Sequence, residues 1–354
     1  MTTSRKTIVG RSTVAPARAR GFSLVELMVA VVLGLFLVIG LISLIVANSV
    51  SRAELDKSSR QIENGRFALA QLTEDIEHAG FTGTTLTRTI GTVTQAVPPL
   101  CPTSMSGSGL GYSAGANYIA TMPYSVYGPD ATAVASCISN HQSGTAIIVV
   151  SRASTTTTDV ASATAGVAYL QASTCANETT AFAANPGASA AAGFPLTQTD
   201  CTTAARLRAL IQRIYFVSTC NVCSPSDNQP TLKVAEYDST GARTITPLVE
   251  GIQDLQFDYG IDTDNNGSPD SYTAAPTAAQ WPNVVTVRIH VLARNEDPSG
   301  AWTDTRTYAM GLAEGTVPAT GASPCTTGFC DRYKRHVYSG VARLNNISGQ
   351  RELQ

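Results

Sequence analysis

Residues 22–47 are an apolar run interrupted only by Ser23, Glu26, Gly34, Gly40 and Ser43. As a helix at ~1.5 Å per residue the run reaches about 39 Å, enough to cross a ~30 Å hydrocarbon core with some tilt. A compact soluble domain has no place for such a segment, so the run constrains the chain more than any other feature. The helical pattern continues beyond it. Leu55, Ile62, Leu69 and Ile76 recur every seven residues, Leu72 widens the stripe, and Arg52, Glu54, Asp56, Lys57, Arg60, Glu63, Glu74 and Asp75 occupy the other faces. That is an amphipathic helix whose apolar face needs a partner. Gly80 reads as its stop. The spacing therefore predicts one helix from Phe22 to Ala79, far longer than helices of ordinary globular domains.

The segment in front of the run is basic. Arg5, Lys6, Arg11, Arg18 and Arg20 stand in residues 1–21 with no acid. A basic flank holds its end of a membrane segment on the cytoplasmic side, so the bulk of the chain is expected to cross. The whole chain carries 24 basic and 26 acidic residues; without the five of the leader, 19 basic residues remain, a net charge near −7.

The junction reads Arg20-Gly21-Phe22-Ser23-Leu24-Val25-Glu26. Glycine, aromatic residue and a carboxylate five positions after the glycine stand in register at the start of the apolar run. An uncleaved signal anchor explains the run but not this register. The stretch resembles the class III signal of type IV pilins and pseudopilins. The resemblance implies that a membrane prepilin peptidase cuts after Gly21 and methylates the new N-terminal Phe22, leaving the apolar segment in the mature protein. It also implies that Glu26 pairs with the N-terminal amine of a neighbouring subunit. A lone carboxylate at membrane depth is costly, and two groups expensive to bury singly are satisfied together. The rival position for Glu26 is the cytoplasmic interface, reached by snorkelling.

All eight cysteines follow the membrane segment: Cys101, Cys137, Cys175, Cys201, Cys220, Cys223, Cys325 and Cys330. An even count on the exported side points to disulfides. Zinc is the rival for Cys220-x-x-Cys223, with Cys325 and Cys330 as the second pair. Eight cysteines allow 105 pairings, so the pairing stays open, with neighbours along the chain as the simplest arrangement.

The expected fold is α+β: the long helix packed on an antiparallel sheet. The expected divisions are a leader (1–21), a membrane or filament-core helix (22–47), its amphipathic continuation (48–80), a cysteine-stapled, loop-rich insert (81–205) and a β-rich head (206–354). In the insert only Thr145–Ser151 reads as a strand; 153–195 is rich in small residues and reads as loop. In the head, 213–217 and 232–237 flank the Cys220–Pro230 loop as a hairpin. Leu248–Tyr259, Val284–Arg294, Arg306–Met310 and Tyr333–Leu344 add further strands.

Asp262-Thr263-Asp264-Asn265-Asn266-Gly267-Ser268-Pro269-Asp270 places oxygen ligands at positions one, three, five and nine of an EF-hand-like loop, with glycine at six and the Ser268 carbonyl at seven. Position twelve is Thr273, so the bidentate glutamate is missing. Asp258 or Glu296 would have to complete a calcium shell. A polar turn is the competing reading. The four histidines, His78, His141, His290 and His336, show no ligand spacing, and no nucleophile motif is present, so the expectation is a non-enzyme. Basic Arg332–His336 is too short to argue for nucleic acid, which is not an expected partner.

Leu248–Asp264, Val284–Ile289 and Tyr333–Tyr338 resemble PilW-type minor pilins. That resemblance implies a low-copy subunit that helps prime pilus assembly and sits in the tip complex. It implies other minor pilins and the major pilin as partners, with a large tip adhesin as a further one. Location would be the inner membrane, head in the periplasm, before assembly, and the pilus tip afterwards. A minor pseudopilin of a type II secretion system shares every N-terminal feature. A membrane-tethered periplasmic binding module that never polymerises is the alternative from another class.

Overall fold

A computed structural model describes residues 21, 23–83, 94–102, 108–115, 118–134, 136–186, 193–237, 243–300, 302–313, 316–317 and 329–352. Residues 1–20 of the leader, Phe22 and Cys325 lie outside the described residues. The chain divides into two units at Leu55/Asp56.

Helix α1 runs from Leu24 to Glu77 without a break, through both Gly34 and Gly40. It is the one described helix long and apolar enough to cross a membrane by length and composition. Its large side chains from Leu24 to Val50 are all exposed. The polar interruption at Ser43 is satisfied inside the helix, its hydroxyl donating to the Ile39 carbonyl at 2.9 Å, as a hydroxyl in an apolar setting must be. After Glu77 the chain turns, and Gly80 adopts φ +71°, the left-handed stop that glycine takes without penalty. The Gly80 N–H donates to the Ser151 carbonyl at 2.9 Å.

The buried face of α1 is not the heptad stripe expected from the sequence. It comprises Gln61, Gly65, Ala68, Leu72, Asp75 and Ile76. Leu69 is partly buried against the core, while Ile62 stays 43% and Leu55 70% exposed. Small residues decide this. A Cβ on Gly65 would lie 2.2 Å from the Tyr338 ring, so the glycine lets the helix approach the sheet there and turns Ile62 aside. A seven-residue repeat also drifts about 20° per heptad on a straight helix.

The first three strands, β1 (Thr94–Ala96), β2 (Ser113–Gly115) and β3 (Tyr118–Pro123), form a small sheet in the order β1-β3-β2. A seven-stranded sheet follows. It contains β4 (Val126–Tyr127), β5 (Ile148–Ala153), β6 (Ala168–Ala172), β7 (Phe182–Pro186), β8 (Leu207–Ser218), β9 (Thr231–Tyr237) and β10 (Arg243–Glu250). Its main path is β10-β9-β8-β5-β4, with β6 pairing both β7 and β8. The third sheet has the order β12-β11-β13-β16, from β11 (Ile252–Ile261), β12 (Ser271–Thr273), β13 (Val284–Arg294) and β16 (Arg335–Arg343). A two-residue pair, β14 (Tyr308–Ala309) with β15 (Thr316–Val317), lies before β16, and helix α2 (Asn345–Arg351) follows it. Pairing is antiparallel throughout except between β1 and β3.

The division expected at 205/206 falls inside the large sheet. Strand β8 pairs with β5 along Leu210–Tyr215 and with β6 along Leu207–Ala209, so insert and head share one layer. The loop expected over 153–195 contains β6 and β7, whose alanine-rich sequences carry little β-propensity; their pairing and the burial of Leu170 and Phe182 compensate. The single strand expected over Leu248–Tyr259 is two. Gly251 sits at φ +74°, and a Cβ there would meet the Arg294 carbonyl at 2.7 Å. The strand expected over Arg306–Met310 shrinks to Tyr308–Ala309.

Alternation along the strands explains the packing. Ile148, Val150, Tyr215 and Val217 point into one core with Ala68, Leu72 and Ile76 of α1 and with Leu255, Phe257, Val287 and Ile289. Their neighbours Ile147, Val149, Ile214 and Phe216 point the other way, into a second core with Val134, Cys137 and Ile138. Both faces of the central strands are thus buried, which is why their sequences are continuous apolar runs.

Candidate functional site

Two regions carry the residues singled out from the sequence. The first is the start of α1. Gly21 and Glu26 are exposed. The first helical hydrogen bond runs from the Leu27 N–H to the Ser23 carbonyl at 3.0 Å, which places Glu26 in the first turn, where the helix dipole favours an anion. Among the described residues this end has no partner: it is an exposed apolar helix led by one carboxylate. Such a surface can enter lipid or pack against other helices.

The second is the loop after β11. Asp262 is fully buried. Its carboxylate accepts from the Gly267 N–H at 3.0 Å, the Asn266 N–H at 3.3 Å and the Arg351 guanidinium at 3.0 Å. Asp264 accepts from the Asn266 backbone N–H and side-chain amide, and the Asn266 side-chain Oδ1 accepts from the Ser268 N–H at 2.7 Å. Asp270 accepts from the Thr263 N–H and hydroxyl at 2.7 and 2.6 Å. Gly267 has φ +82°, and a Cβ there would strike the Ser348 carbonyl of α2 at 2.7 Å. The fold does bring Asp262, Asp264 and Asp270 together, with one oxygen of each within 4.8 Å of the others.

The donors fit a cation in part. The two carboxylates expected to complete the shell are engaged elsewhere. Asp258 accepts from the Leu312 N–H at 2.9 Å and contacts His290 at 3.2 Å; Glu296 pairs with Arg60 at 3.5 Å. In their place the sequence reading missed Arg351, which reaches Asp262, the Pro282 carbonyl and the Asn283 side chain. Burial alone would raise the Asp262 pKa, but the hydrogen bonds from Arg351 and Gly267 outweigh it and hold the carboxyl below its ordinary value. A carboxyl lowered on folding adds stability above about pH 4 that is lost as the pH falls.

The described cysteines are oxidised. Cys101 pairs with Cys137, Cys175 with Cys201, and Cys220 with Cys223, at Cα separations of 5.4, 4.9 and 5.2 Å. Cys330 is disulfide-bonded as well. The Cys220–Cys223 bond leaves no thiolate pair there for zinc. His290 is half-buried, its ring between Asp258 and the Ser339 hydroxyl at 2.9 Å.

Residues 16–42 match the prokaryotic N-terminal methylation motif, and residues 214–346 match the type IV pilus-assembly protein W family. Residues 214–346 are thus similar to that family. The PilW match begins within β8 and runs through β16 to the start of α2, so the insert lies outside it. No curated protein and no solved structure matches the chain. The two family matches, with the long apolar helix, support a type IV pilus minor pilin, anchored in a membrane by its N-terminal helix. They point to a structural protein rather than an enzyme.

Proposed function

We propose that this PilW-family chain is a low-copy subunit that helps prime pilus assembly and remains in the tip complex. Prepilin peptidase cuts between Gly21 and Phe22 and methylates Phe22. The subunit waits in the inner membrane with its head in the periplasm, and it docks through Glu26 onto the amine of a neighbouring pilin. The observation that carries this reading is the coupling of a PilW head to a bare apolar helix opened by Glu26. Oxidised cysteines agree with a head folded outside the cytoplasm. The head, with its disulfides and large insert, suits a few copies at an end better than a close-packed shaft. Other minor pilins, the major pilin and a tip adhesin are its partners in this reading.

Deleting the gene is expected to reduce surface pili at least tenfold, with restoration by the full chain and recovery of the protein at low stoichiometry in sheared filaments. Normal piliation in the deletion strain, or loss of secretion without loss of pili, would overturn the reading; the second outcome marks a type II secretion pseudopilin.

For the Asp262–Asp270 loop we propose weak calcium binding in competition with Arg351. A guanidinium on the first carboxylate lowers affinity for a second cation, and the missing twelfth ligand lowers it further. Calorimetry on the full chain in detergent should give a calcium heat at millimolar concentrations that grows at least threefold in affinity in Arg351→Gln and is lost in Asp264→Ala. Equal heats in the wild type and both variants would remove calcium from the loop.

A further inference from the structure

One cavity of the head involves none of the residues singled out from the sequence as sites. It arises where two segments share the edge of β5 that β8 leaves open. On the β4 side, the Ser151 N–H donates to the Ser125 carbonyl at 2.9 Å. Beyond that point the chain that follows α1 takes over the edge. The Gly80 N–H donates to the Ser151 carbonyl at 2.9 Å, and the Ala153 N–H to the Phe81 carbonyl at 2.7 Å. Gly80 permits the junction, since a Cβ on it would lie 2.5 Å from the Ser125 hydroxyl oxygen. Both segments line a cavity of about 320 Å³. Its walls are mixed and neutral. Phe81, Met122 and Phe182 are apolar, Ser125, Ser151 and Gln350 are polar, and no charged side chain among the described residues takes part. Arg208, stacked 5.1 Å from the Phe81 ring centre, spends its guanidinium on the Ser154 and Thr155 carbonyls.

One group in these walls is unspent. Ser151 is 4% exposed, and its hydroxyl is buried with no hydrogen-bond partner. Gln212 stands directly opposite it on β8, and both polar atoms of the buried Gln212 amide are likewise unpartnered. Directly opposed residues share one face of a sheet. Buried polar groups are ordinarily paired, so this wall holds neutral hydrogen-bonding capacity that the chain itself does not use.

The lining selects the occupant by exclusion and by match. A phosphate, carboxylate or ammonium would enter without a counter-charge, which is costly. A wholly apolar guest would leave Ser151 and the amides unsatisfied. Hydroxyls and primary amides both donate and accept, and a ring bearing several hydroxyls answers them while its C–H faces lie against Phe81, Met122 and Phe182. The volume stands at the lower end of the ~300–1,000 Å³ range of small-ligand pockets, which suits one or two such rings. We propose that this cavity binds an uncharged sugar, with a ring hydroxyl paired to Ser151 and the exposed Gln350 amide closing over it from the rim. Every residue of the site lies in the head, so the proposal stands or falls apart from the pilus reading.

The test is saturation-transfer NMR on the full chain in a sugar-free detergent. The probes are the methyl glycosides of glucose, galactose, mannose and N-acetylglucosamine, with tetrahydropyran, the ring without its hydroxyls, as control. The expected result is transfer to at least one glycoside at millimolar concentration and none to tetrahydropyran, because a site built for hydroxyls rejects a ring that lacks them. Ser151→Ala should weaken that glycoside about fivefold, the worth of one neutral hydrogen bond. The thermal midpoint should stay within about 2 °C, since the hydroxyl has no partner in the chain to lose. Gln350→Ala, at an exposed position, should weaken the glycoside about twofold or more with folding intact. Equal transfer to tetrahydropyran assigns the cavity to an apolar guest, and unchanged affinity in both variants assigns the sugar to another surface. Either result overturns the proposal, as does transfer to no glycoside.

Discussion

Asp75→Ala is expected to destabilise the head by about 3–5 kcal/mol, the range for removing one partner from a buried ion pair. Asp75 is 5% exposed on the core face of α1. Its carboxylate accepts from Arg152 Nε at 2.9 Å, Arg213 Nη1 at 3.1 Å and the Tyr215 hydroxyl at 2.9 Å. This one side chain therefore ties the helix to two neighbouring strands of the large sheet. Arg213 keeps Glu236 as a second partner. Arg152, only 13% exposed, keeps a contact of 3.5 Å to the Ala153 carbonyl. Without Asp75 two guanidiniums face each other and a buried phenol loses its acceptor. Burial followed by the neighbouring Asp75 charge holds the Tyr215 hydroxyl well above its usual pKa, so the phenol cannot replace the missing anion. Asp75→Asn, which retains an acceptor but no charge, should fall between wild type and alanine. Chemical denaturation of the full chain in detergent, followed by near-ultraviolet circular dichroism, measures the difference; a loss below about 1 kcal/mol would show that the helix is held by apolar packing alone.

The second large effect concerns Glu26. Glu26→Ala should leave cleavage after Gly21 intact, because the carboxylate lies inside the retained helix. It should lower recovery of the protein in sheared filaments at least tenfold, since each ~1.4 kcal/mol of lost pairing is a factor of ten and an amine buried without its counter-charge costs more than that. Glu26→Gln separates charge from hydrogen bonding. It should behave like alanine if ion pairing sets the docking register, and like wild type if the amide suffices. Undiminished incorporation of the alanine variant would contradict the docking role.

The parts legible in the sequence are those governed by short-range pattern. The apolar run and its charged flank gave the helix, and Gly80 gave its stop. Alternation in Val284–Arg294 gave β13, whose register with β11 and β16 is regular along most of its length. The hairpin across Cys220–Pro230 was legible because apolar runs flank a polar loop. What stayed hidden depends on contacts distant in the chain. Gly65 and Ala68 read as neutral until the Tyr338 ring is placed beside them, and so the buried face of α1 was assigned to the wrong rows. Strands β6 and β7 are poor in strand-forming residues and exist because β8 offers an edge to pair with. Arg351 is separated from Asp262 by β12, β13 and β16, so a loop that spells a calcium motif gives no local sign that a guanidinium already sits on its first carboxylate. Asp75, placed by the heptad pattern on the polar faces, lies instead on the buried one, because its partners Arg152 and Arg213 come from strands distant in the chain.

Processing at Gly21/Phe22 decides whether the chain can enter a filament, and intact-mass and peptide mass spectrometry of the protein purified from membranes tests it most directly. The account predicts a mature chain that begins at Phe22, carries one N-terminal methyl group and keeps the whole apolar helix. A chain that retains residues 1–21, or one cut beyond the apolar run, would contradict it.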